Sequence, residues 1–272
     1  MSMALWQALV LAVIQGLTEF LPVSSKSHLM VAEKLMGVNV DDFIALAVLL
    51  HFGTLLSLII YYRRDWAEII GGSFRSGERG RQPRRLLGML ALGTLPVAVV
   101  GLLIKDHVEF LYEDLIVAGA LWLVTATGLW YADRLGGRKG PAEMRPVDAL
   151  WVGVAQTLAI LPGISRSGST IFGGLARRFD EQWAPRFAFL LATPAILGAT
   201  VLKSKDLIQA LQQDMVATPW GMYALTCAVS AAVGYVAIAL VIRAVRSAKL
   251  KYFAVWCAVM GITTLVWGLW VR

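Results

Sequence analysis

The sequence predicts an all-α polytopic membrane protein, with six spanning helices and two re-entrant helical hairpins arranged as an inverted-topology repeat. Three observations lead to this prediction. The chain of 272 residues is 58% hydrophobic and only 16% charged, whereas soluble domains contain about 45–50% apolar and about 25% charged residues. Six apolar runs approach the length of about 20 residues that a spanning helix needs. Two further segments carry polar residues and helix breakers within apolar sequence, and they resemble each other.

The charges between the apolar runs predict the orientation of the chain. The six predicted spans are 43–62, 86–104, 115–132, 187–202, 220–242 and 252–271. An excess of Arg and Lys marks the cytoplasmic side of a membrane protein. The breaks predicted to lie inside are 63–85, 133–145, 177–186 and 243–251, and those predicted outside are 105–114 and 203–219. The net charge of +7 comes largely from these breaks, so we expect no nucleic-acid partner, and the longest break is expected to be a solvated loop.

Two segments, about 3–37 and about 147–176, do not fit as plain spans. With the breaks placed as above, each segment must enter and leave the membrane on the same side, so each is predicted to be a re-entrant hairpin. Irregular backbone at membrane depth is tolerated only where protein buries it or a watery cavity borders it. The first segment lacks a basic n-region and a small-residue cleavage site, so we expect it to remain in the mature protein.

The two hairpin segments share a pattern. Leu21-Pro22-x-x-Ser25-Lys26-Ser27 matches Leu161-Pro162-x-x-Ser165-Arg166-Ser167, and Gln15 has a counterpart in Gln156. Three spans follow each segment, and an odd number of spans inverts the second copy relative to the first. We therefore expect a single membrane domain over 1–272, with repeat one at about 3–132 and repeat two at about 147–271.

Polar residues in both hairpins predict one shared site. An ionisable group at membrane depth is costly and is usually functional. For any one serine, a hydroxyl bonded to its own helix is the more frequent role, and the alternative for Glu19 and Arg166 is an ion pair that joins the hairpins. The polar residues at depth are Gln15, Glu19, Ser24, Ser25, Lys26, Ser27 and His28 in the first hairpin, and Ser165, Arg166, Ser167, Ser169 and Thr170 in the second.

The residue types in these two stretches predict phosphate chemistry. In PGISRSGST, a helix that starts after the Pro-Gly break presents free N–H groups to a phosphate, and Arg166 adds a planar fork of donors. The spacing Ser25-x-x-His28 places a hydroxyl one helical turn from an imidazole, which predicts a nucleophile and its base. Glu19 would orient His28 or help to hold a divalent cation shared with substrate phosphates. His51, in mid-span, is expected to be a structural histidine or at most a neighbour of the site.

At these residues the chain resembles the undecaprenyl-diphosphate phosphatase family of bacterial inner membranes, which is linked to bacitracin resistance. The resemblance covers essentially the whole chain and includes that family's (E/Q)xxxE and PGxSRSxxT signatures, at Gln15–Glu19 and 162–170. One departure is that many members have Thr-Gly or Thr-Ala where this chain has Lys26-Ser27. Lys26 could add a phosphate contact, and Ser27 could compete as the hydroxyl nearest His28.

The resemblance implies a bacterial inner-membrane hydrolase that converts undecaprenyl diphosphate to undecaprenyl phosphate and inorganic phosphate. It implies a divalent cation, Mg²⁺ or Ca²⁺, and a site that opens toward the periplasm. The expected partners are the lipid diphosphate and membrane lipids, and the oligomeric state stays open between a monomer and a homodimer. We expect catalytic roles for Ser25, His28, Arg166 and Glu19, metal binding at Glu19 and Gln15, and substrate binding by Gln15, Ser24, Lys26, Ser27, Ser165, Ser167, Gly168 and Thr170.

Three alternatives stay open at this point. Water could attack the phosphorus directly with His28 as its base, without a phosphoserine. The inverted repeat with broken helices is also typical of transporters, so the chain could translocate a lipid phosphate. In a third hypothesis the protein is a membrane scaffold, in which the polar residues only join the two hairpins.

Overall fold

The computed structural model of the protein describes residues 3–38, 40–212 and 220–271. Within these ranges the chain is helical, without a named strand, which confirms the predicted all-α class. A short 3₁₀ helix, Glu109–Glu113, precedes α6. The α-helices are α1 Leu5–Phe20, α2 Ser25–Met36, α3 Val40–Tyr61, α4 Arg63–Ser73, α5 Glu78–Val108, α6 Leu115–Ala132, α7 Pro146–Leu158, α8 Arg166–Ala176, α9 Trp183–Gln212, α10 Trp220–Arg246 and α11 Leu250–Val271.

Five of the described helices, α5, α6, α9, α10 and α11, are long and apolar enough to cross a membrane. The part of α3 from Leu46 makes a sixth when it is taken together with α4, from which it is bent by 70°. The predicted spans therefore coincide with helices of the structure. The predicted outer break 203–219 differs, because α9 continues to Gln212, and residues 213–219 lie outside the described part of the chain.

Most residues of 63–85 are exposed, as predicted, but the segment is helical and not a loop. This segment forms α4 and the first turns of α5, joined by a short turn. Ile69 is buried in the main hydrophobic core and Trp66 packs against that core. An apolar face among charged residues stabilises a helix at the surface of the bundle, and the charge count alone did not show this face.

Each of the two polar segments folds into a helical hairpin. Gln7 Nε2, near the start of α1, donates to the carbonyl of Met36 at the end of α2 at 3.1 Å. In the second hairpin, Arg177 Nε, just after α8, donates to Asp148 Oδ1 in the first turn of α7 at 2.7 Å. The longest of the four arms, α1, has 16 residues, or about 24 Å, which is shorter than the about 30 Å of a bilayer core.

The two halves of the chain pack into each other. Hairpin helix α1 packs against α10 of the second half, and hairpin helix α7 packs against α5 of the first half. The last helices of the halves, α6 and α11, pack together with Gly119 facing Gly261, where an added Cβ would lie 2.8 Å from a backbone carbonyl. Phe20, Val23 and Trp122 belong to the main core, so the break after α1 lies inside the protein.

The four basic breaks lie together at one end of the molecule, called the basic end below. Arg85 Nη1 donates to the Pro141 carbonyl at 3.2 Å and so joins the first break to the second. The Leu250 backbone N–H donates to Asp133 Oδ1 at 3.0 Å and joins the second to the fourth. Backbone hydrogen bonds join the second break to the third. Charged segments that were grouped from sequence by their sign are therefore neighbours in space.

Candidate active site

Each hairpin has a short non-helical break between its two helices, at 21–24 in the first hairpin and at 159–165 in the second. These two hairpin breaks meet inside the core. Ser27 Oγ, at the start of α2, accepts a hydrogen bond from the Gly163 backbone N–H at 2.6 Å. Ser167 Oγ, at the start of α8, donates to the Leu21 carbonyl at 3.1 Å. Each bond joins the start of one hairpin's second helix to the break of the other hairpin, so the two tips form one structure.

The backbone conformation at each break explains why the helices stop there. Ser24 has a φ of +70°, and the preceding Val23 carbonyl accepts a hydrogen bond from Trp122 Nε1 at 2.6 Å. Gly163 has a φ of +86°, and a Cβ at this position would lie 2.4 Å from the Ala118 carbonyl oxygen. Only glycine combines that conformation with so close a neighbour at low cost, so the Pro-Gly pair sets the second break.

Glu19 is the centre of a buried polar cluster. Its Oε2 accepts hydrogen bonds from Gln15 Nε2 at 3.0 Å and from Ser25 Oγ at 2.5 Å. Its Oε1 lies 2.5 Å from Nη2 of Arg166, the first residue of α8. The Glu19 side chain is 5% exposed and that of Arg166 is 20% exposed. One carboxylate therefore connects a hydroxyl of the first hairpin with a guanidinium of the second.

His51 also borders this cluster. Its Nε2 lies 4.0 Å from Glu19 Oε2, and its Nδ1 lies 2.8 Å from the Ala47 carbonyl, to which it must donate. From the sequence, His51 was expected to be a structural histidine or at most a neighbour of the site, and the second expectation describes its position. The sequence indicated this position only because His51 is an ionisable residue within an apolar span.

No hydrogen bond joins His28 to Ser25 within the described residues. His28 Nδ1 lies 2.8 Å from the Ser24 carbonyl, and its Nε2 lies 2.9 Å from Trp256 Nε1. A carbonyl only accepts and an indole N–H only donates, so the imidazole carries its proton on Nδ1 and both nitrogens are engaged. The ring also packs edge-on against Trp122. The predicted serine–histidine pair is thus not formed in this structure.

The hydroxyls at the start of α8 are bonded to protein groups. Ser165 Oγ accepts from the Gly168 backbone N–H at 3.1 Å and caps the helix. The Ser165 backbone N–H donates to Thr125 Oγ1 at 3.2 Å, so α6 adds a residue that the sequence analysis missed. Thr170 Oγ1 donates to the Arg166 carbonyl at 2.9 Å, within its own helix. Arg166 is therefore the group at this helix start that reaches toward Glu19.

Lys26 lies at the rim of the site. Its Nζ donates to the Ile160 carbonyl in the second break at 3.2 Å and lies 4.6 Å from the centre of the Tyr112 ring. Ser24 Oγ is 3.5 Å from Ser27 Oγ, deeper in the break. The predicted site residues thus fall into a cluster around Glu19 and a set of bonds that shapes the two breaks.

The residues near Glu19 fit a hard divalent cation in part. Gln15 Oε1 is buried and has no hydrogen-bond partner, while the amide nitrogen of the same residue is bonded to Glu19. Amide and carboxylate oxygens are ligands that Mg²⁺ and Ca²⁺ accept. The described residues contain no group of three or more His, Cys, Asp or Glu that could hold a metal, so a cation here needs oxygens from the substrate as well.

Comparison with known protein families matches residues 8–263 to the family described as "Bacitracin resistance protein BacA". The chain belongs to this family. The match includes every residue of the Glu19 cluster and all of both hairpins and the six apolar helices except the first residues of α1 and the end of α11. Family membership and the apolar helices together establish a multi-pass membrane protein.

Several similar proteins cover nearly the whole length of the chain. A protein of Alcanivorax borkumensis is 41% identical over 265 residues, which cover 96% of this chain and 98% of that protein. A protein of Carboxydothermus hydrogenoformans is 38% identical, and the alignment covers 96% of this chain and 96% of that protein. A protein of Rhodopirellula baltica is also 38% identical, and the alignment covers 97% of this chain and 98% of that protein. All three bear the name "Undecaprenyl-diphosphatase".

Proposed function

We propose that the protein is a phosphatase that hydrolyses undecaprenyl diphosphate to undecaprenyl phosphate and inorganic phosphate, and so recycles the lipid carrier for cell-wall synthesis. One observation carries the proposal: the buried carboxylate of Glu19 is bonded at once to the Ser25 hydroxyl and to the Arg166 guanidinium. A nucleophile, a base and a phosphate-binding cation are thereby within one cluster. The name of the full-length relatives supports the substrate.

In this proposal Arg166 binds the terminal phosphate of the substrate. Its planar fork of donors matches two phosphate oxygens, and its position at the start of α8 adds the positive end of a helix dipole. When Arg166 turns to the phosphate, Glu19 Oε1 loses its present partner and Glu19 becomes a stronger base. The isoprenoid tail would lie in lipid between the apolar helices, because only the diphosphate needs polar contacts.

The reaction then proceeds in two balanced steps at Ser25. Its Oγ bonds to the terminal phosphorus while its proton passes to Glu19, 2.5 Å away. The bond from that phosphorus to the bridging oxygen breaks, and undecaprenyl phosphate leaves with the electron pair and takes the proton from Glu19. Water next attacks the phosphoserine and gives a proton to Glu19, which returns it to Ser25 Oγ as inorganic phosphate departs.

We propose Glu19 as the base in place of His28, which the sequence spacing favoured. His28 would have to break its hydrogen bond with Trp256 before its Nε2 could take a proton. We propose instead that His28 positions the break that carries Ser25. A divalent cation, Mg²⁺ or Ca²⁺, would be held by Glu19 and Gln15 Oε1 with phosphate oxygens, and when bound it neutralises the charge of the diphosphate. Direct attack by water is the alternative to the phosphoserine step.

We further propose six spans and two re-entrant hairpins in an inverted-topology repeat, as one membrane domain in the bacterial inner membrane. Three features support this arrangement: the short hairpin arms, the reciprocal packing of each hairpin on the other half, and the shared position of the four basic breaks. With the basic end in the cytoplasm, the site opens toward the periplasm. We propose the repeat boundaries that the sequence predicts, about 3–132 and about 147–271.

Phosphate release from purified protein in detergent tests the proposed function. The substrate is farnesyl or undecaprenyl diphosphate, with and without a chelator, and activity is expected to disappear with the chelator. Arg166→Ala is expected to abolish release, whereas Arg64→Ala, at an exposed arginine of the basic end, is expected to leave it unchanged. Near-normal release from a folded Arg166→Ala protein would contradict the proposal, and retained activity in Ser25→Ala would favour direct attack by water.

The interleaved halves favour a second candidate function, translocation of a lipid phosphate. Each hairpin packs on a spanning helix of the opposite half, and transporters place their sites at such junctions. Hydrolysis needs no second compartment, whereas translocation does. Transfer of a labelled lipid phosphate between leaflets of proteoliposomes, measured with the Ser25→Ala protein, separates the two functions.

A further inference from the structure

The packing of α3 on α9 gives the depth of Lys203, an exposed residue of α9. The two helices run in opposite directions, because α3 ends at the basic end and α9 begins there. The Tyr62 ring, just after α3, lies 6.2 Å from the Phe189 ring of α9, so these two residues are at one depth. His51 is eleven residues before Tyr62, and Thr200 is eleven residues after Phe189, so both lie about 17 Å further from the basic end. Lys203 follows Thr200 by about one helical turn and therefore lies just beyond the level of His51, which borders the candidate active site.

The face of α9 that carries Lys203 points into the protein. Phe189, Ile196 and Lys203 are seven residues apart, which is close to two helical turns, so they share one face. Phe189 is 1% exposed and Ile196 is 2% exposed. Lys203 also lies within electrostatic range of His51 and of Lys26, which agrees with the position that helix geometry gives it. Lys203 is therefore a neighbour of the rim of the site, where Lys26 lies.

The charges at this rim are mostly positive. Lys26 interacts electrostatically with two cations, Lys203 and Arg166, and with one carboxylate, that of Glu19. This carboxylate is already bonded to Arg166, and no described carboxylate forms an ion pair with either lysine. Lys26 Nζ has three N–H donors and gives one of them to the Ile160 carbonyl. The two lysines therefore have donors and an excess of positive charge available for an anion.

We propose that Lys203 and Lys26 bind the phosphate that carries the prenyl chain, so that the site selects a lipid diphosphate over its monophosphate product. This inference rests on the proposed function, in which Arg166 binds the terminal phosphate beside Ser25. The terminal phosphate then lies deeper than the prenyl-linked phosphate, which places the prenyl-linked phosphate at the rim with the two lysines. Ammonium groups on long flexible stems bind phosphate as point charges. A monophosphate fills only one of the two positions, so it cannot gain from Arg166 and the lysines together.

Isothermal titration calorimetry of the detergent-solubilised protein tests this assignment without relying on hydrolysis. The two probes are farnesyl methylenediphosphonate, in which a methylene group replaces the bridging oxygen, and farnesyl phosphonate, which has a single phosphorus. Lys203→Met removes the charge of Lys203, and Lys203→Arg keeps it. The control is Lys34→Met, because Lys34 is also exposed but lies about two helical turns from Lys26 along α2. The unfolding temperature of each variant checks that it is folded.

We expect the affinity for the diphosphonate to fall about tenfold in Lys203→Met, the loss expected for one hydrogen bond to a charged group. It is expected to be unchanged in Lys203→Arg and in Lys34→Met. The affinity for the monophosphonate is expected to be unchanged in all three variants, because Arg166 holds its single phosphorus. An equal loss for both probes would mean that Lys203 attracts anions in general, and an unchanged affinity of Lys203→Met for the diphosphonate would mean that Lys203 binds neither phosphate. Either result overturns the inference.

Phosphate release from farnesyl diphosphate, measured on the same preparations, tests the proposed function separately. Lys203→Met is expected to raise KM about tenfold without a change in kcat, since its effect is on binding. A protein that binds the diphosphonate through Lys203 but releases no phosphate would contradict the proposed function and leave the binding assignment intact. A protein that hydrolyses the substrate with an unchanged KM in Lys203→Met would contradict the binding assignment alone.

Discussion

Replacing Glu19 by Gln distinguishes Glu19, which we propose as the base, from His28, which the sequence spacing favoured. Gln keeps the size of the side chain but cannot take the proton of Ser25, whose Oγ lies 2.5 Å from the carboxylate. The matched variant is His28→Gln, because the sequence spacing favoured His28 as the base. Glu19→Gln is expected to lower the rate of phosphate release strongly, and His28→Gln is expected to change it little.

The magnitudes follow from the contacts of each side chain. Loss of a general base lowers the rate about 10²- to 10⁴-fold, which is the expected effect of Glu19→Gln. This variant also leaves Arg166 without its partner, which costs about 3–5 kcal/mol for a fully buried pair. The cost here is expected to be smaller because the Arg166 side chain is 20% exposed. His28→Gln loses a neutral hydrogen bond worth about 1 kcal/mol, so its rate is expected to stay within about tenfold of normal.

Initial rates of phosphate release from farnesyl diphosphate measure both effects. The rates are taken well below the unfolding temperature of each variant and are divided by the folded fraction from calorimetry. A folded His28→Gln protein that is as inactive as Glu19→Gln would refute the assignment of the base to Glu19. A folded Glu19→Gln protein with near-normal rates would refute it equally.

Three further predictions concern residues around the site and at the basic end. Burial alone would raise the pKa of Asp148, but hydrogen bonds from one backbone N–H and two cationic side chains outweigh it and lower the pKa. The contribution of ionised Asp148 to the free energy of unfolding is therefore complete above the ordinary carboxyl pKa and is lost as pH falls through the lowered pKa. Asp148→Asn is expected to lower the free energy of unfolding by about 1–3 kcal/mol at neutral pH and to leave it unchanged at acid pH. Denaturation curves at the two pH values measure this difference. Lys26→Thr is expected to raise KM about tenfold with little change in kcat in steady-state assays, because Lys26 bonds to Ile160 at the rim and not to Glu19; a tenfold fall in kcat would contradict this. His51→Phe is expected to lower kcat about tenfold and His51→Gln to retain most of it, since only the second keeps a polar group beside Glu19; equal rates in single-turnover assays would exclude a role for His51.

Much of the helix arrangement could be predicted from the sequence, because membrane spans are set by length and apolar content. The same reasoning failed at 63–85, where charge dominates the composition but Ile69 and Trp66 form an apolar face. Hydropathy averages over such a face, and only the packing of α4 on the core reveals it.

The membership of the candidate site was easier to predict than its bonds. The signatures placed Glu19, Ser25 and Arg166 in the two hairpins, and hydrogen bonds join them in the structure. The spacing of Ser25 and His28 suggested a local pair, yet a side chain at a helix start points back toward the preceding residues, which brings Ser25 to Glu19. The partner of His28 is Trp256, which is 228 residues away, and no local pattern encodes such a contact.

A structure of the protein with bound orthovanadate tests the central claim most directly, because vanadate adopts the geometry of a phosphoryl group during transfer. We predict vanadium bonded to Ser25 Oγ, with the Arg166 guanidinium on its oxygens and Glu19 beside the hydroxyl. Vanadate bound away from both Ser25 and Arg166, or bonded to another hydroxyl of the two breaks, would contradict it.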